Sequence, residues 1–199
     1  MEEIGVKQDG LGAWQAPRVG WKSLTALVGA TALVAVCAHI AVPLGFTPVP
    51  VTMQTFAVLL LGLLFSPGAA FACLALYLME GALGAPVFSP HGPGGVAQLL
   101  GPSGGYLLSY PFAAALTSFL YRRGGRRFWP AIAAAGVASL LILATGAAWL
   151  GLLSQAKFSA VFAQSIAPFL AGDALKVLAA AACASMLGSF GEGSPHRAL

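Results

Sequence analysis

The residues best suited to chemistry are Asp173 and Lys176. They stand three apart in an otherwise apolar stretch, so on a helix they share one face and can pair. A charge at membrane depth costs about 3 kcal/mol or more, and such residues normally face a bundle interior and mark a functional site. Two readings are open: a ligand-binding acid and base, or a structural ion pair joining helices. The first is favoured, because a purely structural pair could be replaced by apolar residues at little cost.

The other candidates carry less. Glu80 either lines the same cavity or marks a water boundary. His39 reads as a satisfied core or interface histidine, and His91, in a Gly/Pro loop, as solvated. Gly101-Pro102-Ser103-Gly104-Gly105 matches the G-x-S-x-G nucleophile pattern. That pattern means catalysis only on a strand–turn–helix in an α/β sheet, and no such sheet is expected. The better use of Ser103-Gly104-Gly105 is a helix start, with a serine cap and glycines that let backbone amides approach a polar ligand. No phosphate-cradling G-x-x-x-x-G-K-[ST] exists, so if ATP energises the protein's work, another subunit must bind it. Cys37, Cys73 and Cys183 lie far apart in apolar stretches, which suits small core residues and neither disulfides nor zinc.

The composition fixes what surrounds these residues. The chain has 199 residues, 58% hydrophobic and 8% charged, against about 25% charged in soluble domains. Ten basic and six acidic side chains cannot coat a water-facing surface of this size. No Asp, Glu, Lys or Arg occurs between Lys22 and Glu80, or from Gly81 to Tyr121. A helical span needs roughly 20 apolar residues, so this is the pattern of a polytopic membrane protein. A soluble enzyme, a nucleic-acid binder and a disordered chain are excluded. The net charge of +4 reads as topogenic, since basic residues collect on the cytoplasmic side.

The expected fold class is all-α integral membrane, with six transmembrane helices. They run over about 23–42, 51–65, 69–83, 105–121, 129–152 and 166–187. Pro43–Pro50 and Gly84–Gly104 are irregular and must lie outside the bilayer or line a cavity. Both fall on the extracytoplasmic side, as lids over a pocket. Lys7, Arg18, Lys22, Arg122, Arg123, Arg126, Arg127 and Arg197 lie inside only if both termini are cytoplasmic, which the positive-inside rule selects. Trp21, Trp129 and Trp149 then sit at helix ends, as interfacial tryptophans do. The domain map is a cytoplasmic segment 1–22 with no cleaved signal peptide, a membrane domain 23–188 and a cytoplasmic tail 189–199.

Four motifs in order resemble the BioY family. They are Pro48-Val49-Pro50-Val51-Thr52-Met53-Gln54-Thr55; Tyr77 with Gly81-Ala82-Leu83-Gly84-Ala85-Pro86-Val87-Phe88; Gly101-Pro102-Ser103-Gly104-Gly105-Tyr106; and Pro168-Phe169-Leu170-Ala171-Gly172-Asp173-Ala174-Leu175-Lys176. The resemblance covers about residues 24–188. It implies a six-helix, cell-membrane substrate-binding (S) component of an energy-coupling-factor (ECF) transporter that captures biotin from outside. It further implies a transmembrane coupling (T) subunit and a pair of ABC-type ATPases as partners, with no enzyme activity and no cofactor of its own. ATP would be bound by the partner subunits alone.

The family's acid and lysine carry over onto Asp173 and Lys176, and its first-helix alanine motif, which contacts the coupling subunit, onto Ala26 and Ala30. Asp173 would accept from ureido N–H groups, while Lys176 would meet either the ureido oxygen or the carboxylate. Gln54, Ser103 and Tyr106 complete the polar set, with Gly104 at the helix start, Glu80 near the pocket, and Phe88 and Trp149 as apolar walls. The chain departs from the family pattern at Ala171 and in the proline-rich loop Ser89-Pro90-His91-Gly92-Pro93. A self-sufficient secondary transporter or channel for biotin or another small vitamin is the alternative.

Overall fold

The computed structural model describes the backbone of residues 21–192 and the side chains of 25–187. The flanking segments 1–20 and 193–199, with Lys7, Arg18 and Arg197, lie outside the described residues, as do the side chains of Trp21 and Lys22. In chain order the elements are α1 (Trp21–His39), β1 (Ala41–Val42), β2 (Val51–Thr52), α2 (Gln54–Leu64), α3 (Pro67–Ala82), α4 (Gly95–Leu100), α5 (Gly104–Arg123), α6 (Phe128–Ser154), α7 (Phe158–Ser165) and α8 (Leu170–Glu192).

Each of the six segments expected to be helical holds an α-helix, but the boundaries differ for local reasons. The first helix stops at His39 and the second starts only at Gln54, because Ala41 and Val42 pair antiparallel with Thr52 and Val51. This short ladder, closed by the Met53 N–H donating to the Ile40 carbonyl at 3.0 Å, turns the proline-rich segment 43–50 into a hairpin. The connection 84–104 contains a helical turn, α4, and the loop before the last helix contains α7. The last helix starts at Leu170, four residues later than expected, since Pro168 disfavours helix in the residue before it.

Helix α2 is the centre of the bundle. It packs against α1, α3, α5, α6 and α8, and Gln54, Thr55 and all of Ala57–Leu63 are buried. Gly62 allows α5 to approach: a Cβ there would stand 2.7 Å from the Ala114 carbonyl oxygen and the Thr117 Cβ. The outer faces carry Val28, Val36, Phe112, Leu140, Leu175, Leu178 and Met186 in exposed positions. Large contiguous apolar exposure marks an interaction or membrane-facing surface. By length and composition, α6 and residues 170–187 of α8 are each able to cross a membrane, whereas α2 and α3 have 11 and 16 residues. At about 1.5 Å per residue, α2 covers roughly half of a hydrocarbon core.

Candidate functional site

Asp173 stands in the first turn of α8, where its negative charge suits the positive end of the helix. It is 5% exposed and Lys176 is 7% exposed. The Lys176 Nζ donates to Asp173 Oδ1 at 2.9 Å. Two hydroxyls from other helices complete the cage: Thr55 Oγ1 of α2 donates to Oδ1 at 3.4 Å, and Ser139 Oγ of α6 to Oδ2 at 3.3 Å. A carboxylate has about four acceptor sites and an ammonium three donors. The cluster therefore leaves about one acceptor site on Asp173 and two N–H donors on Lys176 for a ligand.

Both residues line an internal cavity of about 230 Å³. Its wall draws on the 43–50 hairpin (Pro48, Val49, Pro50), the 84–103 connection (Ser89, His91, Gly92, Gln98, Ser103), and helices α2, α5, α6 and α8. The two irregular segments thus converge on one cavity. It is mostly apolar, with Leu107, Ile142, Leu143 and Phe169 between the polar groups, the form expected of a small-molecule site.

Of the residues singled out in the sequence, Asp173, Lys176, Gln54, Ser103 and Tyr106 line this cavity. Gln54 donates from Nε2 to the Tyr77 hydroxyl at 2.6 Å, and Tyr77 donates in turn to the Val87 carbonyl at 2.8 Å. This chain ties α2 through α3 to the loop after it. Tyr106 donates to the Ser165 carbonyl at 2.6 Å, tying α5 to the end of α7. Ser103 is the residue before α5, yet its hydroxyl makes no capping bond; its backbone is already helical (φ −86°, ψ −4°), whereas a capping serine is normally extended.

Four residues fall away from the cavity wall. Glu80 accepts a hydrogen bond from Thr31 of α1 at 3.3 Å. Phe88 is buried edge-on against Tyr77, with its ring so close to Gly81 that any Cβ there would overlap it. Gly104 lies under the Leu99 carbonyl and the Trp149 indole. Trp149 donates from Nε1 to the Gly101 carbonyl at 2.9 Å and so braces the turn between α4 and α5. On α1, Ala26 is exposed but Ala30 is buried, so the two alanines do not share an outward face. His39 is exposed, its Nδ1 2.8 Å from the Ala35 carbonyl.

Sequence reasoning did not single out Thr55, Ser139, Gln98 or Tyr110; it took the loop of Ser89 and His91 as a lid over the ligand, with His91 solvated, and both residues line the cavity. A signal existed for Ser139: it is one of two hydroxyl residues in the interior of the long apolar α6, and such residues often bond across membrane helices.

The fold and the cavity define a class: a helical, apolar-surfaced protein built around a mostly apolar cavity with a buried acid–base pair on its wall. The sequence pattern of the BioY family matches residues 12–190. The chain is 36% identical to a probable biotin transporter BioY of Pyrococcus horikoshii, over 83% of this chain and 94% of that one. It is 34% identical to the biotin transporter BioY2 of Lactococcus lactis subsp. cremoris, over 78% and 84%. It is 35% identical to the biotin transporter BioY of Thermotoga maritima, over 79% and 90%. The fold is similar to the crystal structure of the S-component for biotin from an ECF-type ABC transporter, with a TM-score of 0.80 at 23% identity, covering 88% of this chain and 95% of that one. The chain belongs to the BioY family. This is a transporter family and not an enzyme family, which answers the Ser103 question; among the described residues no hydrogen bond joins Ser103 to a histidine.

Proposed function

We propose that this protein captures biotin and serves as the substrate-specific component of an ECF-type transporter. The observation that carries the reading is the buried Asp173–Lys176 pair on the wall of a largely apolar cavity, in a chain similar over most of its length to biotin transporters. Biotin carries an apolar bicyclic ring and chain, ureido N–H donors and a carbonyl acceptor, and a carboxylate. Asp173 accepts from a ureido N–H, Lys176 donates to the ureido oxygen or attracts the carboxylate, and Gln54, Tyr106 and Ser103 add neutral polar contacts.

The same reading places six helices across the cell membrane, with segments 1–22 and 189–199 in the cytoplasm and the hairpin 43–50 and the 84–104 connection facing outward. The arginines at 122, 123, 126 and 127 then mark a cytoplasmic turn, and all four are exposed. A coupling subunit would meet α1 around Ala26, and a pair of ATPases would supply the energy. The protein itself needs no cofactor and no nucleic acid.

Two measurements test this. Calorimetric titration of biotin into detergent-purified protein should give tight one-to-one binding; no heat would remove the cargo assignment. Uptake into vesicles should require added coupling subunit and ATPases. Biotin uptake by this chain alone would favour a self-sufficient transporter.

A further inference from the structure

Ser89 follows Phe88 in the connection between α3 and α4 and lines the cavity. It is 5% exposed, and its Oγ has no hydrogen-bond partner among the described residues. The backbone around it is tied. The Ser89 carbonyl accepts from Gln98 Nε2 and from the Gly92 N–H, each at 3.3 Å. The Gln98 Oε1 accepts from the Gly94 N–H at 3.1 Å. Gly92 lies so near the Gln98 amide that a Cβ would stand 2.6 Å from it. On the other side, Phe88 is wedged between Tyr77 and Gly81. The backbone is therefore held from both directions while the hydroxyl is left unused. A buried hydroxyl without a partner is costly and calls for an explanation, and on a cavity wall an arriving ligand supplies one.

We propose that Ser89 is a ligand contact that selects for a free carboxylate: its hydroxyl donates to the carboxylate of bound biotin. The inference rests on the biotin reading above and assigns the two ends of that ligand. Lys176 is already neutralised by Asp173 at 2.9 Å, and a second carboxylate beside Asp173 would be repelled, so the α8 end takes the ureido ring. The carboxylate then lies at the loop wall, where Gln98 Oε1 and one Nε2 N–H are engaged and the Ser89 hydroxyl is a buried donor with no partner among the described residues. A hydrogen bond to a charged acceptor is about twice as strong as one to a neutral acceptor. Ser89 thus favours the acid over its esters.

The test is calorimetric titration of wild type and Ser89→Ala with biotin and with biotin methyl ester, beside thermal unfolding of the ligand-free proteins. Ser89→Ala should weaken biotin binding by about tenfold or more, as for a hydrogen bond to a charged group, and ester binding by about threefold or less. The unfolding midpoint of the free variant should stay level or rise, because the hydroxyl has no partner to lose. Equal losses for both ligands, no loss, or a lowered midpoint of the free variant would overturn the proposal. Failure of the wild type to bind biotin would instead bring down the cargo reading and this inference together, and is recognised by its appearance in the unmutated protein.

Discussion

At the helical end of the cavity, Asp173 already accepts from three side chains on α8, α2 and α6. At the loop end, Ser89 Oγ has no partner among the described residues. Both groups are equally well buried, so the difference lies in how they are supported. The helical end is a charged cluster that must be complete before ligand arrives, because a buried unpaired charge is among the most destabilising features a fold can carry. The loop end holds a neutral hydroxyl, whose lack of a partner costs the fold less than an unpaired charge does. Pre-organised charge thus sits on helices that pack tightly, and the unsatisfied contact sits on a glycine- and proline-rich connection. In the ligand-free protein, removing a helical-end group should harm the fold, and removing the loop-end group should not.

The largest effect that separates the two ends is expected from Asp173→Asn. It leaves Lys176 buried without its counter-ion, which costs about 3–5 kcal/mol, and it removes the proposed ureido acceptor. Biotin affinity should fall by about a hundredfold or more, and the unfolding midpoint of the free protein should fall with it. Combining it with Lys176→Met should return much of the midpoint, since no unpaired charge remains, without returning affinity. Recovery of binding in the double variant would mean that the pair only joins helices.

A smaller effect should follow from Gly146→Ala on α6, read by thermal unfolding. The ring of Tyr106 lies where that Cβ would be, and overpacking of this kind costs about 1–3 kcal/mol. Because Tyr106 also holds the end of α7 through the Ser165 carbonyl, biotin binding should weaken alongside stability. Unchanged affinity would show that this side of the helical end does not shape the site.

The smallest effect is expected from Trp149→Phe. It removes one indole donor to the Gly101 carbonyl, worth about 1 kcal/mol. Trp149 does not line the cavity, so calorimetric titration should show an affinity change below about threefold, with no change in the ratio of biotin to its ester. A shift in that ratio would link the α4–α5 turn to the loop end.

Several features of this protein were legible from residue order alone. Long apolar runs with few charges dictate helices, because only internal hydrogen bonding satisfies the backbone away from water, and all six segments so marked hold one. The pairing of Asp173 with Lys176 was likewise legible, since three residues along a helix bring side chains to one face whatever the rest of the chain does. The breaks of helical pattern at Pro43–Pro50 and Gly84–Gly104 were visible too, but not what fills them. Neither the two-residue ladder nor α4 has a periodicity long enough to detect.

Only the tertiary structure decided which side chains meet. Thr55 and Asp173 are 118 residues apart, and Ser139 and Asp173 are 34 apart; no local spacing encodes such contacts. Packing also decided that Phe88 and Trp149 support the cavity from behind and do not line it, and that Ala30 turns inward while Ala26 faces out. Helix formation and i, i+3 neighbours are properties of a few consecutive residues, so the sequence determined them directly. The composition of a wall built from six separate segments depends on how helices rotate against one another, and that rotation is set by the whole buried interface at once.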